Sequence, residues 1–289
     1  TFPSVWVRFV ASTNISKLKI NNEPLEDVSY PFNGTGMLPK QQSSQVTITG
    51  NAANANYIRT MLLGNQYNAG NYVNGRFTFF ANTGRSNDMT FVPGDNEVTF
   101  VSHNNTNRTE LTKHFVYDNG KAFAFNAKVG VLGDTNGQVM YRADKPTITA
   151  ADKNITLTGY LKSSKSNNGT TLDYSYADFT VSGTGQTVRY SFADNDFVYN
   201  QSGTVTSPAY LHGGGTANNS QVSKYDSPDN RYTVHEVKVD LPINGGARAQ
   251  SIEVKFIPSD DSREPEISRF SFNYVNTNEP YIQKVERVV

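Results

Sequence analysis

Three segments of this 289-residue chain repeat one strand-turn-strand pattern. The first runs from Val7 to Ile20, the second from Val98 to Tyr117 and the third from Val254 to Phe272. In each, apolar and polar residues alternate with period two, which places one side of an extended segment in a core and the other side in water. The pattern predicts three β-hairpins, and an element that recurs in one chain indicates a repeated domain.

Composition and length favour an all-β fold built from tandem β-sandwich domains. Charged residues make up only 18% of the chain and aromatic residues 12%. Thr, Ser, Asn, Gly, Tyr and Phe are abundant, whereas Leu and Ala are too sparse for a mainly helical protein. The length suits two domains of roughly 100 to 150 residues, each able to bury a core of its own.

The predicted domain boundaries follow the hairpins. Residues 1–45 are expected to form an N-terminal hairpin and linker, either the remnant of an earlier unit or strands of the first sandwich. The first β-sandwich is expected over residues 46–143 and the second over 144–276, separated by a linker-like break at Asp144-Lys145-Pro146. Residues 277–289 are expected to be a terminal strand or linker, and the chain to be a piece of a larger protein.

Within these domains the pattern predicts individual strands. Gln45–Gly50 parallels Asn154–Gly159 in sequence, which indicates that the two halves share one plan. Leu172–Tyr176 and Phe179–Ser182 are expected to be successive strands. Tyr57–Leu63 is compatible with a strand or with one helical turn.

Part of the second half resembles a known family of sugar-binding domains. Four segments are similar in arrangement to the strands of galactose-binding-like jelly rolls, which serve as carbohydrate-binding modules. These segments are Tyr176–Val181, Val188–Tyr190, Tyr232–Leu241 and Ile252–Phe256. The resemblance implies a sandwich that binds sugar through loops at one edge. It covers about 130 residues and carries no site residue over to this chain.

A second resemblance competes with the first. Three short segments resemble those of immunoglobulin-like and fibronectin-III-like modules of Gram-positive surface proteins. They are Pro146-Thr147-Ile148, Val46–Gly50 and Pro93–Val98. Such modules also follow the protease domain of cell-envelope subtilases. This resemblance implies a role in spacing and presentation.

Charge and cysteine usage narrow the partners and the location. Lys plus Arg and Asp plus Glu number 26 each, which disfavours nucleic acid as a partner. The longest apolar runs are only a few residues, so no membrane span is expected. The absence of cysteine is compatible with a cytosolic chain or with an organism that exports few disulfides. The low charge and the loops rich in Asn, Thr, Ser and Gly favour an extracellular, cell-wall-associated bacterial surface protein.

No motif in the sequence predicts catalysis. The four histidines stand outside any known catalytic spacing, and no cysteine can serve as a nucleophile. We therefore expect no enzyme activity. The histidines are His103, His114, His212 and His235.

Asp194, Asn195 and Asp196 form a candidate metal site. Their side chains offer the hard oxygen ligands that Ca²⁺ prefers, and no other cofactor is expected. Asp134-x-Asn136 and Asp260-Asp261 are similar clusters. The alternative is that such side chains bond the local backbone of a turn.

The candidate ligand-binding residues are Tyr199, Tyr210, Tyr225, Asn218 and Asn219. Tyrosine rings stack on sugar rings while amide groups bond hydroxyls, although the same tyrosines could simply pack the sandwich. We expect a non-catalytic adhesion or binding module whose ligand is a glycan or another extracellular host or matrix molecule. The alternatives are a structural spacer, or accessory domains of a cell-envelope hydrolase such as a subtilase.

Overall fold

The computed structural model describes residues 11–28, 38–39, 43–164, 174–192, 197–199, 205–208 and 224–278. The chain divides into two compact units, of which unit 1 comprises Thr1–Ser29 and Pro39–Asn119, and unit 2 comprises Tyr30–Leu38 and Gly120–Val289. The described residues form strands and no helix, so the predicted all-β class is confirmed. Accordingly, this part of the chain contains no helix of the length and apolar character that a membrane span requires.

Unit 1 is a sandwich of two antiparallel sheets. Its strands are β1 (Asn14–Ile20), β2 (Glu23–Pro24), β3 (Val46–Ala53), β4 (Tyr57–Leu62), β5 (Asn65–Asn68), β6 (Asn71–Val73), β7 (Arg76–Ala81), β8 (Gly94–His103) and β9 (Arg108–Tyr117). One sheet has the order β2-β1-β3-β7-β6 and the other β5-β4-β8-β9.

The inward faces of these two sheets form the core of unit 1. Ile48 and Phe79 from one sheet pack with Val98 and Phe100 from the other, and all four are at most 1% exposed. The Phe79 and Phe100 rings meet edge to face, with centroids 6.1 Å apart. The alternation seen in the sequence is thus the alternation between core and surface.

Unit 2 is a second sandwich with its own core. Its strands are β10 (Phe123–Val131), β11 (Gln138–Val139), β12 (Thr147–Ala150), β13 (Asn154–Ser164), β14 (Tyr174–Val181), β15 (Thr187–Ser191), β16 (Phe197–Tyr199), β17 (Val205–Pro208), β18 (Lys224–Asp226), β19 (Tyr232–Pro242), β20 (Ala249–Pro258) and β21 (Glu266–Asn276). The sheet orders are β11-β10-β13-β19-β18 and β12-β21-β20-β14-β15-β16-β17. Leu157 and Val239 pack with Phe179 and Phe256 between the sheets.

Both units share one strand order. The series β1-β3-β7-β6 in unit 1 corresponds to β10-β13-β19-β18 in unit 2, and β4-β8-β9 corresponds to β14-β20-β21. These are the ABED and CFG orders of immunoglobulin-type sandwiches. The predicted tandem β-sandwich is confirmed, whereas the resemblance to a galactose-binding-like jelly roll is not.

A glycine opposite a β-bulge recurs at the same place in both units. Gly50 of β3 faces the bulge of β1, where Lys17 has φ 53, and Gly159 of β13 faces the bulge of β10, where Asn126 has φ 48. A Cβ on Gly159 would lie 3.2 Å from the Cα of Ala127. A Cβ on Gly50 would instead meet the side chains of Phe77 and Leu18, so at both positions the fold leaves no room for a side chain.

Two of the three predicted hairpins form. β8 pairs with β9, and β20 pairs with β21, each in antiparallel register. Val7–Val10 of the first copy lies outside the described residues, while Ile15–Ile20 lies in β1 and pairs with β3. That segment is therefore an early strand of unit 1 rather than the close of an earlier unit.

The division between the units falls earlier in the chain than the boundary expected at residues 143 and 144. β10 pairs with β13 and belongs to unit 2. The segment Asp144–Pro146 joins two strands of unit 2, and the Pro146 carbonyl accepts a hydrogen bond of 2.8 Å from the Asn273 amide. Of residues 277–289, the structure describes the first two, and the Thr277 amide donates to the Ala150 carbonyl at 3.0 Å.

Two strand assignments also change. Tyr57–Leu62 is a strand, which resolves the choice between a strand and a helical turn. Tyr174–Val181 is one continuous strand, so the expectation of two successive strands there was wrong. The strand pairs with β15 and β20 over most of its length, which leaves no room for a break.

Candidate ligand-binding site

The structure places two of the five predicted ligand-binding residues, and they lie on different sheets of unit 2. Tyr199 is in β16, where its backbone pairs with Arg189. Tyr225 is half-buried in the edge strand β18, and burial, followed by the nearby Asp229 charge, raises its pKa. Tyr210, Asn218 and Asn219 lie outside the described residues.

The candidate calcium ligands Asp194, Asn195 and Asp196 also lie outside the described residues. The two similar clusters form turns. Asp134 Oδ1 accepts a hydrogen bond of 2.8 Å from the Asn136 amide, and Asp260 Oδ1 accepts one of 2.9 Å from the Ser262 amide. Across the described ranges, no group of three or more His, Cys, Asp or Glu side chains is arranged to hold a metal.

A serine and a histidine do meet in unit 2, but inside the sandwich. His235 of β19 is 1% exposed. Its Nδ1 lies 2.9 Å from the Tyr190 hydroxyl and its Nε2 lies 3.3 Å from Ser163 Oγ. Both ring nitrogens are engaged in the interior, so the arrangement stabilises the sandwich and offers no access to a substrate.

An exposed aromatic ring stands at one end of unit 1. Tyr57 opens β4 directly opposite His103, the last residue of β8. The two rings are stacked, with centroids 4.7 Å apart and an interplanar angle of 12°. Tyr57 is nevertheless 46% exposed, so its ring is held in place yet remains accessible to a ligand.

Arg59 lies beside this aromatic pair. It is half-buried, and its guanidinium carbon lies 5.9 Å from the centroid of the Tyr57 ring. Its Nη2 lies 3.4 Å from Nε2 of His103. The alternation of β4 explains the placement, because Ile58 and Leu62 point into the core and Tyr57 and Arg59 therefore face outward.

The turn between β8 and β9 borders the aromatic pair and is held by one asparagine. Asn104 Oδ1 accepts hydrogen bonds from the amides of Thr106, at 3.0 Å, and Asn107, at 2.7 Å. Its Nδ2 donates to the carbonyls of Ala11, at 3.1 Å, and Asn54, at 3.0 Å. This single side chain therefore fixes the turn and ties it to two neighbouring segments.

Further amide groups are exposed around the turn. Asn56, which precedes Tyr57, donates from Nδ2 to Oδ1 of Asn105 at 2.9 Å, and both residues are exposed. Asn54 donates to the Ser12 carbonyl at 3.1 Å. We name Tyr57, Arg59, His103 and the turn Asn104–Asn107 the Tyr57 site.

Burial and the neighbouring charges lower the pKa of the histidine at the Tyr57 site. Burial lowers the pKa of His103, and the positive charges of Arg59 and Arg108 lower it further, against a smaller opposing effect of Glu110. Arg108 Nη2 forms an ion pair with Glu110, and both side chains are 50% exposed. Two guanidinium groups and one carboxylate thus leave one net positive charge near the Tyr57 ring.

Sequence reasoning did not select these residues. Tyr57 and Arg59 lie in a segment for which the sequence was compatible with a strand or with a helical turn. Assigned as a strand, Tyr57–Leu62 shows alternation that places an aromatic and a cationic side chain on the outer face. The pairing with His103 has no local signal, since it depends on the register between β4 and β8.

A second pair of an aromatic ring and a cation lies in unit 2, and there a carboxylate of the chain binds the cation. Arg189 lies over the Tyr176 ring, 4.3 Å from its centroid. It donates two hydrogen bonds to the Asp178 carboxylate, at 2.7 and 2.9 Å. The bonds to Asp178 are the main cause of a raised Arg189 pKa. This pair is satisfied within the protein.

Comparison with known proteins identifies no family. No family model and no curated protein matches the chain. Among solved structures, a chimeric titin Z1Z2 tandem carrying a GRGDS peptide from fibronectin is 8% identical over 81% of this chain and 92% of that chain, with a TM-score of 0.25. A pair of titin immunoglobulin domains is 7% identical over 81% of this chain and 89% of that chain, with a TM-score of 0.21.

A Ca²⁺-stabilised adhesin from an Antarctic bacterium, described as binding ice, is 13% identical over 92% of this chain and 49% of that chain, with a TM-score of 0.21. This chain therefore matches about half the length of that protein. Superpositions this poor support no argument about fold or function, and the sandwich assignment rests on the strand pairing of this chain alone.

Proposed function

We propose that this chain is a non-catalytic, extracellular binding module of a bacterial surface protein and that its ligand is a glycan. The observation that supports this most is the Tyr57 ring, which is 46% exposed while His103 stacks against it. A large aromatic surface is held in contact with water instead of being packed away. An exposed aromatic ring whose orientation is fixed offers a flat apolar face on which a ligand can stack.

Sugar is the ligand class that suits the groups around this ring. The apolar face of a pyranose stacks on an aromatic ring, while its hydroxyls need donors and acceptors at fixed positions. Asn56 and Asn105 supply exposed amides, and Asn104 fixes the turn that carries them. Because the turn is already held by hydrogen bonds, little conformational entropy is lost on binding.

A second proposed place for glycan contact is the segment of unit 2 that includes Tyr199, Tyr210, Tyr225, Asn218 and Asn219. Tyr225 lies on the edge strand β18 of one sheet, and Tyr199 lies on β16, next to the edge strand β17 of the other sheet. Calcium binding at Asp194, Asn195 and Asp196 belongs to the same proposal. Replacement of the three tyrosines tests the glycan contact separately from the Tyr57 site.

A glycan array probed with the full chain tests the proposal. Tyr57→Ala is expected to reduce binding by about fivefold or more, because stacking on an aromatic ring contributes on the order of 1 kcal/mol or more. Tyr57→Phe, which keeps the ring, is expected to bind nearly as well as the parent. A triple variant, Tyr199→Ala, Tyr210→Ala and Tyr225→Ala, measures the contribution of unit 2.

Thermal unfolding of each variant separates lost binding from lost folding. If the parent chain binds no glycan and no matrix protein, the proposal fails and a structural spacer becomes the better interpretation. Two sandwiches of one topology in tandem favour that second function. Hydrolysis of a polysaccharide or peptide by the purified chain would contradict both.

A further inference from the structure

We propose that the glycan bound at the Tyr57 site carries a carboxylate, as in a hexuronic acid, and that Arg59 binds that carboxylate. This inference rests on the proposed function, since it names the class of sugar for the same site. It follows from the charge left over beside the Tyr57 ring. It does not follow from the ring itself, which would accept a neutral sugar equally well.

Arg59 lacks a counter-ion among the residues that the structure describes. Within the described residues no carboxylate forms an ion pair with it, and its Nε is buried without a hydrogen-bond partner. Its one polar contact there is the 3.4 Å approach of Nη2 to His103 Nε2, which is at the long limit for a hydrogen bond. A half-buried guanidinium with so few acceptors gains more from a bound anion than a fully hydrated one would.

The neighbouring groups do not neutralise Arg59. Glu110 is the nearby carboxylate, and it forms its ion pair with Arg108. His103 is an imidazole and supplies no negative charge. The net positive charge of the site therefore remains available to an anionic ligand.

Unit 2 shows how such a cation is satisfied when the chain provides the anion. There Arg189 lies over a tyrosine ring and Asp178 accepts two hydrogen bonds from it. In unit 1 the tyrosine and the arginine are present, as Tyr57 and Arg59, and no carboxylate of the described part of that unit bonds the guanidinium. A planar carboxylate fits a guanidinium through two parallel hydrogen bonds, which a ligand can supply as well as a side chain can.

Calorimetry with an oligogalacturonate and its carboxyl-reduced counterpart tests the inference. The two probes share ring shape and linkage and differ in the carboxylate. We expect the reduced probe to bind at least about tenfold more weakly, which is the effect of losing one charge-assisted, two-point contact. Added salt should weaken binding of the acidic probe and leave the reduced one nearly unchanged.

Variants test whether Arg59 causes the difference in affinity between the acidic and the reduced probe. Arg59→Gln is expected to lower affinity for the acidic probe to that of the reduced probe. The matched control is Arg76→Gln, which removes an exposed arginine from β7 on the other sheet of unit 1 and is expected to change neither affinity. An oligosaccharide that carries a sulfate group and no carboxylate distinguishes recognition of a carboxylate from general attraction of anions.

The outcomes separate this inference from the proposed function. Equal binding of the acidic and the reduced probe would overturn the inference and leave a glycan-binding module. Equal loss of both probes in Arg59→Gln would also overturn it, because the arginine would then act by supporting Tyr57. If neither probe binds and the glycan array is empty, the proposed function itself fails.

Discussion

Among single residues, His103 reports most directly on the charges of the Tyr57 site. Its pKa is expected to lie below 6.5, first because the half-buried ring is partly desolvated and then because Arg59 and Arg108 repel a proton. Arg59→Gln should raise this pKa, and Arg76→Gln should not. An NMR titration of the imidazole protons measures both variants, and a pKa that ignores Arg59 would show that the guanidinium is not held beside the ring.

The same residue links the stability of unit 1 to pH. Because the folded pKa of His103 is lowered, the unfolded chain binds the proton more readily. The free energy of unfolding of unit 1 should therefore decrease as the pH falls below 6.5 and through the folded pKa. In His103→Gln that part of the pH dependence is expected to disappear, as urea unfolding at several pH values would show.

Among the elements, the paired strands β10 and β13 depend on Gly159. Its missing Cβ makes room for Ala127 Cα at 3.2 Å and for the Phe125 carbonyl oxygen at 3.3 Å, both of them backbone atoms of the facing bulge. Gly159→Ala must displace one of these strands, which is expected to cost about 1–3 kcal/mol of unfolding free energy.

A second glycine provides the matched control for this substitution. Gly245 lies in a turn of the same unit, and a Cβ there would meet nothing within 4 Å. Gly245→Ala should leave the unfolding midpoint of unit 2 almost unchanged. Equal midpoints for the two variants would mean that the bulge can move aside at little cost.

For the whole molecule, two separate cores predict two separable responses to mutation. Phe100→Ala removes a ring that is 0% exposed from the core of unit 1, at an expected cost of about 3–5 kcal/mol. His235→Ala removes a buried ring and its two hydrogen bonds from unit 2. In differential scanning calorimetry each substitution should lower one transition and leave the other in place. A shift of both transitions by either substitution would show that the units unfold together.

The strands that could be predicted from the sequence are those that keep one phase of alternation. β8 and β20 alternate between buried and half-buried residues along most of their length, and their hairpins were predicted correctly. β10 was not predicted because Phe123–Ala127 is buried without a break, and the bulge at Asn126 then shifts the phase of the alternation between buried and exposed residues. The early boundary of unit 2 was missed for this reason.

The Tyr57 site was beyond sequence reasoning for a different reason. Its ring stack joins residues from β4 and β8, and a cross-strand register is set by the packing of the whole sheet. The loop asparagines were visible, but a chain so rich in Asn gives no reason to choose Asn104 over the others. Only the hydrogen bonds of the folded turn distinguish it.

Those hydrogen bonds also bear on how the protein should be produced. Asn104-Asn105-Thr106 is an acceptor sequence for N-linked glycosylation, and the nitrogen that would be modified is Nδ2 of Asn104. In the fold that nitrogen donates to the carbonyls of Ala11 and Asn54. An attached oligosaccharide and the intact turn therefore compete for one atom. In protein secreted by a eukaryotic host, glycosylation of Asn104 would disrupt the turn beside Tyr57. In protein from a host without N-linked glycosylation, the hydrogen bonds of the turn would remain intact.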